Sequence, residues 1–209
     1  MSRLILASAS PTRLRVLREA GFDPECRPSG VSEETDLTDP AATVAELARR
    51  KARAAVDLLA AEQTPAGAAD DRMLVIACDT MLSFGGRLLG KPASVAEATD
   101  WCRAFSGSRA LLLTGHHLIE AGSGRSATEV VTTDVFFSVL RDDEIDAYVG
   151  TGEPLAMAGS FSIDGYGAPF VERIEGDHTN VLGISLPALR RLCGSLGVEI
   201  TSLWRRPSG

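Results

Sequence analysis

Several things are missing from this sequence, and each absence removes a class of protein. No two of the four cysteines, Cys26, Cys78, Cys102 and Cys193, are spaced as C-x-x-C. They read as reduced, mostly buried thiols of a cytosolic protein. No Cys/His cluster has zinc spacing, and His116, His117 and His178 are too scattered for a metal or a triad. No apolar run approaches the length of a membrane span. The apolar start has no h-region ahead of a cleavage site, so no signal peptide is expected. Positive charge is in short supply: 21 Lys and Arg against 28 Asp and Glu leave a net charge of −7. A polyanion-binding surface is not expected, because duplex binding is dominated by phosphate neutralisation. A small phosphorylated ligand needs only a local basic pocket and stays open. Neither a G-x-x-x-x-G-K-S/T loop nor a strand–G-x-G-x-x-G–helix unit is present, so the P-loop and Rossmann modes have no support. There are no repeats and no low-complexity segments.

What remains is 209 residues, 44% hydrophobic and 23% charged. That suits one large domain or two small lobes sharing a cleft. A first strand is expected over Arg3–Ala7, then a helix with Ser10 as cap, Pro11 at its first position, Gly21 past its end and Leu14, Leu17 and Ala20 inward. An acidic loop carries Glu33, Glu34, Asp36 and Asp39. A long helix follows from Asp39-Pro40 to about Ala61, its apolar stripe being Val44, Leu47, Ala48, Ala55 and Leu58. "EQTPAGAADDR", residues 62–72, reads as a solvent-exposed connection. "MLVIACD", residues 73–79, reads as a central strand buried on both faces and ending in a carboxylate. "FGGR" signals a hairpin, and Ser94 with Glu97 a capping box that starts another helix, ending near Gly107. Two long strands are expected over 110–122 and 126–140, a short helix over 142–149, and a last helix capped by Ser185 with Pro187 in its first turn. The Gly-rich stretch 158–176 reads as strand-like. Alternating helices and strands around an antiparallel pair imply an α/β fold with a mixed central sheet and flanking helices.

Three features carry chemistry. "LILASASPTR", residues 4–13, runs a strand through small hydroxyl residues into a helix with Arg13 in its first turn. A helix N-terminus offers unpaired N–H groups and partial positive charge. Ser8 and Ser10 add hydroxyls and Arg13 a charged fork, a combination that suits a phosphate. Alone, the stretch is more often an ordinary capped helix with a solvated arginine. Lys51 lies on the apolar stripe of the long helix, so it needs an anionic partner or must snorkel to solvent. Asp79 stands where α/β proteins place ligands, at a central strand's carboxyl end. A buried carboxylate must meet a cation or be protonated, and Lys91 on the returning strand is the expected neighbour. With Glu33 and Glu34 nearby in the acidic loop, carboxylates and a phosphate ligand together would suit Mg²⁺.

These segments resemble one family in order along nearly the whole chain. "LASASPTR" is similar to the S-x-S-P-R-R signature of the Maf proteins, nucleotide pyrophosphatases with an older label as septum-formation inhibitors. The resemblance continues through Glu33, "RRKA" with Lys51, "ACDT" with Asp79 and Thr80, "LLGKP" with Lys91, "GTGEPLAMAGSF" and "NVLGISLP", and the segment order looks most like actinobacterial members. It implies a single Maf-type domain over residues 1–209, related to the inosine-triphosphate pyrophosphatases, with two lobes around a nucleotide cleft. It implies metal-dependent hydrolysis of a nucleoside triphosphate to the monophosphate and pyrophosphate. By matching position, Asp79 would be the general base, and Glu33 with Asp79 would hold Mg²⁺ or Mn²⁺. Ser8, Ser10, Arg13, Lys51 and Lys91 would bind phosphate, Lys91 being counted with the catalytic groups, and Thr80 would bind substrate. Thr12, Thr80 and Asp164 would set specificity. Two positions depart from the pattern. Thr12 stands where the family has a second arginine. Asp164 in "SIDGYG" stands where the pyrimidine-preferring branch has Gln, and an acceptor-only carboxylate suits a guanine edge. The expected partner is a small nucleoside triphosphate in the cytoplasm, with no nucleic acid, no membrane, and a homodimer left open. House-cleaning of modified nucleotides is the same-class alternative. A nucleotide-binding regulator of division, with incidental or lost catalysis, is the different-class one.

Overall fold

A computed structural model describes residues 2–62 and 72–205. The connection expected over 62–72 falls almost wholly outside the described residues. The elements are β1 (Arg3–Leu6), α1 (Pro11–Glu19), β2 (Glu25–Cys26), α2 (Pro40–Glu62), β3 (Met73–Phe84), β4 (Arg87–Leu89), α3 (Val95–Phe105), β5 (Arg109–Glu120), β6 (Ser126–Phe137), α4 (Asp142–Gly150), β7 (Val171–Glu175), α5 (His178–Val181) and α6 (Leu186–Ser195). The seven strands form one mixed sheet in the order β2-β1-β3-β5-β6-β7, with β4 paired to β3. The expected α/β class with a mixed central sheet and flanking helices is what is found.

The chain divides into two compact units: Met1–Asp79, Thr114–Val131 and Gly183–Gly209 form one, and Thr80–Leu113 with Thr132–Leu182 the other. In the first unit β1 pairs in parallel with both β2 and β3, in a register that sets Ile5 opposite Val75. Strand side chains alternate between faces. Ile5 and Ala7 on β1 and its continuation share a buried cluster with Val75 and Ala77 on β3 and with Ala52, Ala55 and Leu59 on α2. The alanines allow α2 to lie close on the sheet. At Gly115 on β5 the approach leaves no room for a side chain: a Cβ there would run into the backbone carbonyl of Val44. Val16 and Leu17 are the buried residues of α1, so Val16 takes the inward place expected of Leu14 and Ala20. On α2 the buried residue near the end is Leu59, while Leu58 is 46% exposed, one position off the expected stripe. The exact turn of a helix at its last residues is set by what it packs against, which the pattern alone does not contain.

In the second unit β3 and β4 form the expected hairpin, turning through Gly85 and Gly86 at φ of 56° and 75°. Both angles are left-handed, as a two-residue hairpin turn requires, and glycine adopts them without strain. Ser94 caps α3 by accepting from Glu97 N, and Glu97 in return accepts from Ala93 N. The core of this unit is aromatic: Phe105 stacks on Phe137 with ring centroids 5.1 Å apart, and Phe137 meets Phe161 edge-on at the same distance. Two expectations are corrected. The strand ending at residue 79 continues to Phe84, since nothing between Asp79 and the Gly85–Gly86 turn interrupts it. Asp79 therefore sits in mid-strand. The stretch 158–176 is strand only over Val171–Glu175; the rest winds through short 3₁₀ turns at Ala158–Ser160 and Ala168–Phe170. Its glycines and Pro169 favour turns over a ladder.

Candidate active site

Strand parity explains how a carboxylate comes to be buried in the first unit. Val75, Ala77 and Asp79 are successive same-face positions on β3, the face that packs on α2. Asp79 is the polar end of that apolar row. On α2, Lys51 is one turn before Ala55 and next to Ala52, a charged interruption of a buried stripe that runs from Val44 and Leu47 to Ala55 and Leu59. The two meet: Lys51 Nζ donates to Asp79 Oδ1, and it lies 2.6 Å from Glu33 Oε1. The ammonium is the counter-charge of two carboxylates at once. The place that Lys91 was expected to take beside Asp79 is taken by Lys51.

Asp79 is 4% exposed. Burial pushes its carboxyl above the ordinary carboxylate range; the charge and hydrogen bond of Lys51 and the charge of Arg13 pull it back, while Glu33 adds to the rise. Its second oxygen, Oδ2, is buried and has no hydrogen-bond partner among the described residues. Cys78, beside it in the chain, is pushed by burial to about 12, so it stays an inert thiol.

The loop between β1 and α1 forms the expected cap. Ser10 caps α1 by accepting from Arg13 N at 3.3 Å. Ser8 Oγ accepts from Ser10 N at 3.2 Å and from an Arg13 terminal nitrogen at 3.1 Å. A hydroxyl that accepts still has its own proton to donate, so both serines retain a donor. Arg13 Nε donates to the carbonyl of Gly183 at 2.8 Å, which fixes its fork over the loop. Thr12 is half-buried in the first turn of α1.

The segment that anchors Arg13 is itself tied to the sheet. Ser185 caps α6 with its side chain, accepting from Ala188 N, and its own N–H donates to His116 Nε2 at 2.7 Å. His116 is fully buried on β5; burial, with the charge of Arg13, lowers it to about 4. It is a neutral acceptor. This link between β5, residues 183–185 and Arg13 was not read from the sequence, and no local signal announces it.

The second unit holds the other expected residues. Thr80 follows Asp79 directly on β3 and is half-buried, and Lys91 is exposed just after β4. Asp164 is exposed, with Oδ1 accepting from Ser162 Oγ at 2.6 Å. The turn that carries it is held by Glu153, whose carboxylate accepts from Tyr166 N at 2.9 Å and Gly167 N at 3.0 Å. Glu153 was not singled out from the sequence, although "GEP" lies inside a matched motif.

No group of three or more His, Cys, Asp or Glu side chains able to hold a metal occurs among the described residues. Mg²⁺ and Mn²⁺ bound with a nucleotide need no such cage, since one or two carboxylates and the substrate's phosphates suffice. Asp79, with a buried unpartnered oxygen, and Glu33, sharing the same ammonium, fit that requirement. Among the described residues no helix is long and apolar enough to cross a membrane.

Comparison with known proteins is consistent over nearly the whole length. The family model described as Maf-like protein matches residues 3–196. A "Nucleoside triphosphate pyrophosphatase" of Streptomyces avermitilis is 50% identical over 97% of this chain and 94% of its own. One of Salinispora tropica is 48% identical over 98% and 88%. Outside the actinobacteria, one of Thermosynechococcus vestitus is 43% identical over 97% and 98%.

Proposed function

Because the chain belongs to the Maf-like protein family and its relatives carry the name nucleoside triphosphate pyrophosphatase, we propose that it is an enzyme hydrolysing nucleoside triphosphates to the nucleoside monophosphate and pyrophosphate. The observation that carries this reading is Asp79: a buried carboxylate with one oxygen on Lys51 and the other unpartnered. A carboxylate with a raised proton affinity, fixed by an ammonium on one side, is suited to take a proton from an attacking water at its free oxygen.

Phosphoryl transfer depends on positioning and charge neutralisation more than on covalent chemistry. The hydroxyls of Ser8 and Ser10 and the α1 N-terminus would bind phosphate oxygens, and Arg13, braced by Gly183, would clamp them. Lys51 would hold Asp79 ionised and oriented. Lys91 would add a cation to the phosphate chain. Glu33 and Asp79 would hold Mg²⁺ or Mn²⁺, which when bound supplies neutralisation of the triphosphate charge. Thr12, Thr80 and Asp164 would discriminate the base. We take the whole chain as one functional domain acting in the cytoplasm on a small nucleotide, without nucleic acid or membrane.

Pyrophosphate release from a panel of nucleoside triphosphates with Mg²⁺ or Mn²⁺ tests the proposal, with Asp79→Asn alongside. Release by the native protein and a fall of about 10²-fold in the variant are expected, the usual scale for a lost general base. Tight nucleotide binding without release of pyrophosphate would point instead to a regulator. Near-native turnover in a folded Asp79→Asn protein would remove Asp79 from the base role.

A further inference from the structure

Glu33 lies in a stretch with no regular structure between β2 and α2, and its side chain is 63% exposed. An exposed loop carboxylate is a poor ligand unless something fixes the backbone around it. Arg50, half-buried on α2, is placed to do so. One of its terminal nitrogens donates to the carbonyl of Glu34 at 2.8 Å, and the other to the carbonyl of Ser32 at 2.5 Å. The two carbonyls are those immediately on either side of Glu33. The next residue on the helix, Lys51, then meets the Glu33 carboxylate itself. Consecutive residues of α2 thus hold the backbone and the side chain of one loop residue. The loop adds a brace of its own, since Ser32 Oγ accepts from Glu34 N at 3.2 Å.

From this geometry we infer that Arg50 is a positioning residue for Glu33: its guanidinium bridges the carbonyls of Ser32 and Glu34 and so presents the Glu33 carboxylate to the divalent cation. The inference rests on the reading of Glu33 as a metal-holding group. The chemistry calls for arginine in particular. A planar fork with parallel N–H donors spans two carbonyls, whereas a lysine ammonium is a point charge. Outer partners of this kind commonly contribute 10–100-fold to metal affinity without touching the metal.

The test titrates Mn²⁺ into the full-length protein with a non-hydrolysable nucleoside triphosphate analogue, reading free Mn²⁺ by electron paramagnetic resonance. Native protein, Glu33→Gln, Arg50→Gln and Arg50→Lys are compared. In parallel, each protein without metal is exposed to a glutamyl endopeptidase, and fragments ending at Glu33 or Glu34 are counted. Weakening of Mn²⁺ binding by roughly 10-fold in both Arg50 variants, with faster cleavage at those two bonds and an unchanged thermal midpoint, is the expected result. Arg50→Lys should behave like Arg50→Gln because it cannot bridge. Native Mn²⁺ affinity in Arg50→Gln, when Glu33→Gln is weakened, overturns the inference and leaves Glu33 its role. Native affinity in Glu33→Gln removes Glu33 from the metal and the inference with it, so the two failures are told apart by which variant is silent.

Discussion

Lys51 and Asp79 are hydrogen-bonded to each other, Lys51 from within the buried apolar stripe of α2 and Asp79 from the end of an apolar row on β3. Their side chains are 12% and 6% exposed. Removing one partner of a buried pair leaves the other charge without compensation, which costs about 3–5 kcal/mol.

Lys51→Met should therefore destabilise the protein by that order at pH 8. The loss should shrink toward pH 5. The sign follows from Asp79, whose carboxyl is already raised by burial and would rise further without Lys51. A group whose folded value lies above its unfolded one stabilises at low pH and loses that contribution as pH rises through the folded value. Denaturant unfolding of Lys51→Met, Asp79→Asn and the double variant at both pH values checks this. The double variant should lose less than the sum of the singles. Additive losses, equal at both pH values, would show that the pair is not coupled.

The two buried histidines of β5 set an opposite pH dependence. Burial lowers His116 to about 4, helped by Arg13, and lowers His117 to about 4, helped by Arg49 and Arg53. Both lie below the ordinary value of 6.5. Between about 4 and 6.5 the unfolded chain binds more protons than the folded one. Their stabilising contribution is complete above 6.5 and is lost as pH falls toward 4. His116→Gln keeps an acceptor for Ser185 N and cannot titrate in this range. It should reduce the slope of unfolding free energy against pH, between pH 5 and 6, by about 1 kcal/mol per unit. An unaltered slope would mean that His116 does not resist protonation in the fold.

Asp164 offers a cleaner substitution than its exposure suggests. One carboxylate oxygen is used by Ser162, so Asp164→Asn can keep that bond and turn the other oxygen into a donor. If Asp164 reads the base, activity on UTP and dTTP should rise relative to GTP by roughly 10-fold, the scale of one exchanged hydrogen bond. The quantity to compare is the ratio of kcat/KM values across nucleotides under one metal condition. A uniform loss on every base would assign Asp164 to the shape of the turn.

Gly115 predicts a purely structural effect. A methyl group there meets the Val44 carbonyl, so Gly115→Ala should cost about 1–3 kcal/mol through overpacking. Gly122→Ala, with open space around it, is the control and should be near neutral. Equal thermal midpoints for the two variants would show that α2 yields easily at that point.

Features encoded in neighbouring residues were legible from the sequence. Ser10 with Pro11, Ser94 with Glu97, and Gly85-Gly86 each specify a cap or turn through bonds spanning three or four positions. The inward lysine was legible for the same reason, from helical spacing on α2. Its partner was not, because Asp79 and Glu33 meet it through the stacking of α2 on the sheet and the path of a long loop. The bracing groups were hidden more deeply. Arg50 looks like any charged residue on a helix, and His116 like a core histidine, until the distant backbone each one holds is known. Residues 158–176 were misread because a Gly-rich apolar stretch satisfies strand patterning and turn chemistry alike, and only packing decides between them.

Arg13 enters the chain 170 residues before the Gly183 carbonyl that anchors it. On a ribosome adding 5–20 residues per second, that interval is roughly 10–30 s. Throughout it the nascent chain holds Arg13 without its Gly183 anchor, although Ser8, five residues away, is already there to accept from it. The bond that fixes the fork thus closes only after residue 183 has left the ribosome, whatever else of the loop has formed by then. A premature stop between residues 14 and 182 would leave every residue of the opening signature intact and still take the Gly183 carbonyl away from Arg13.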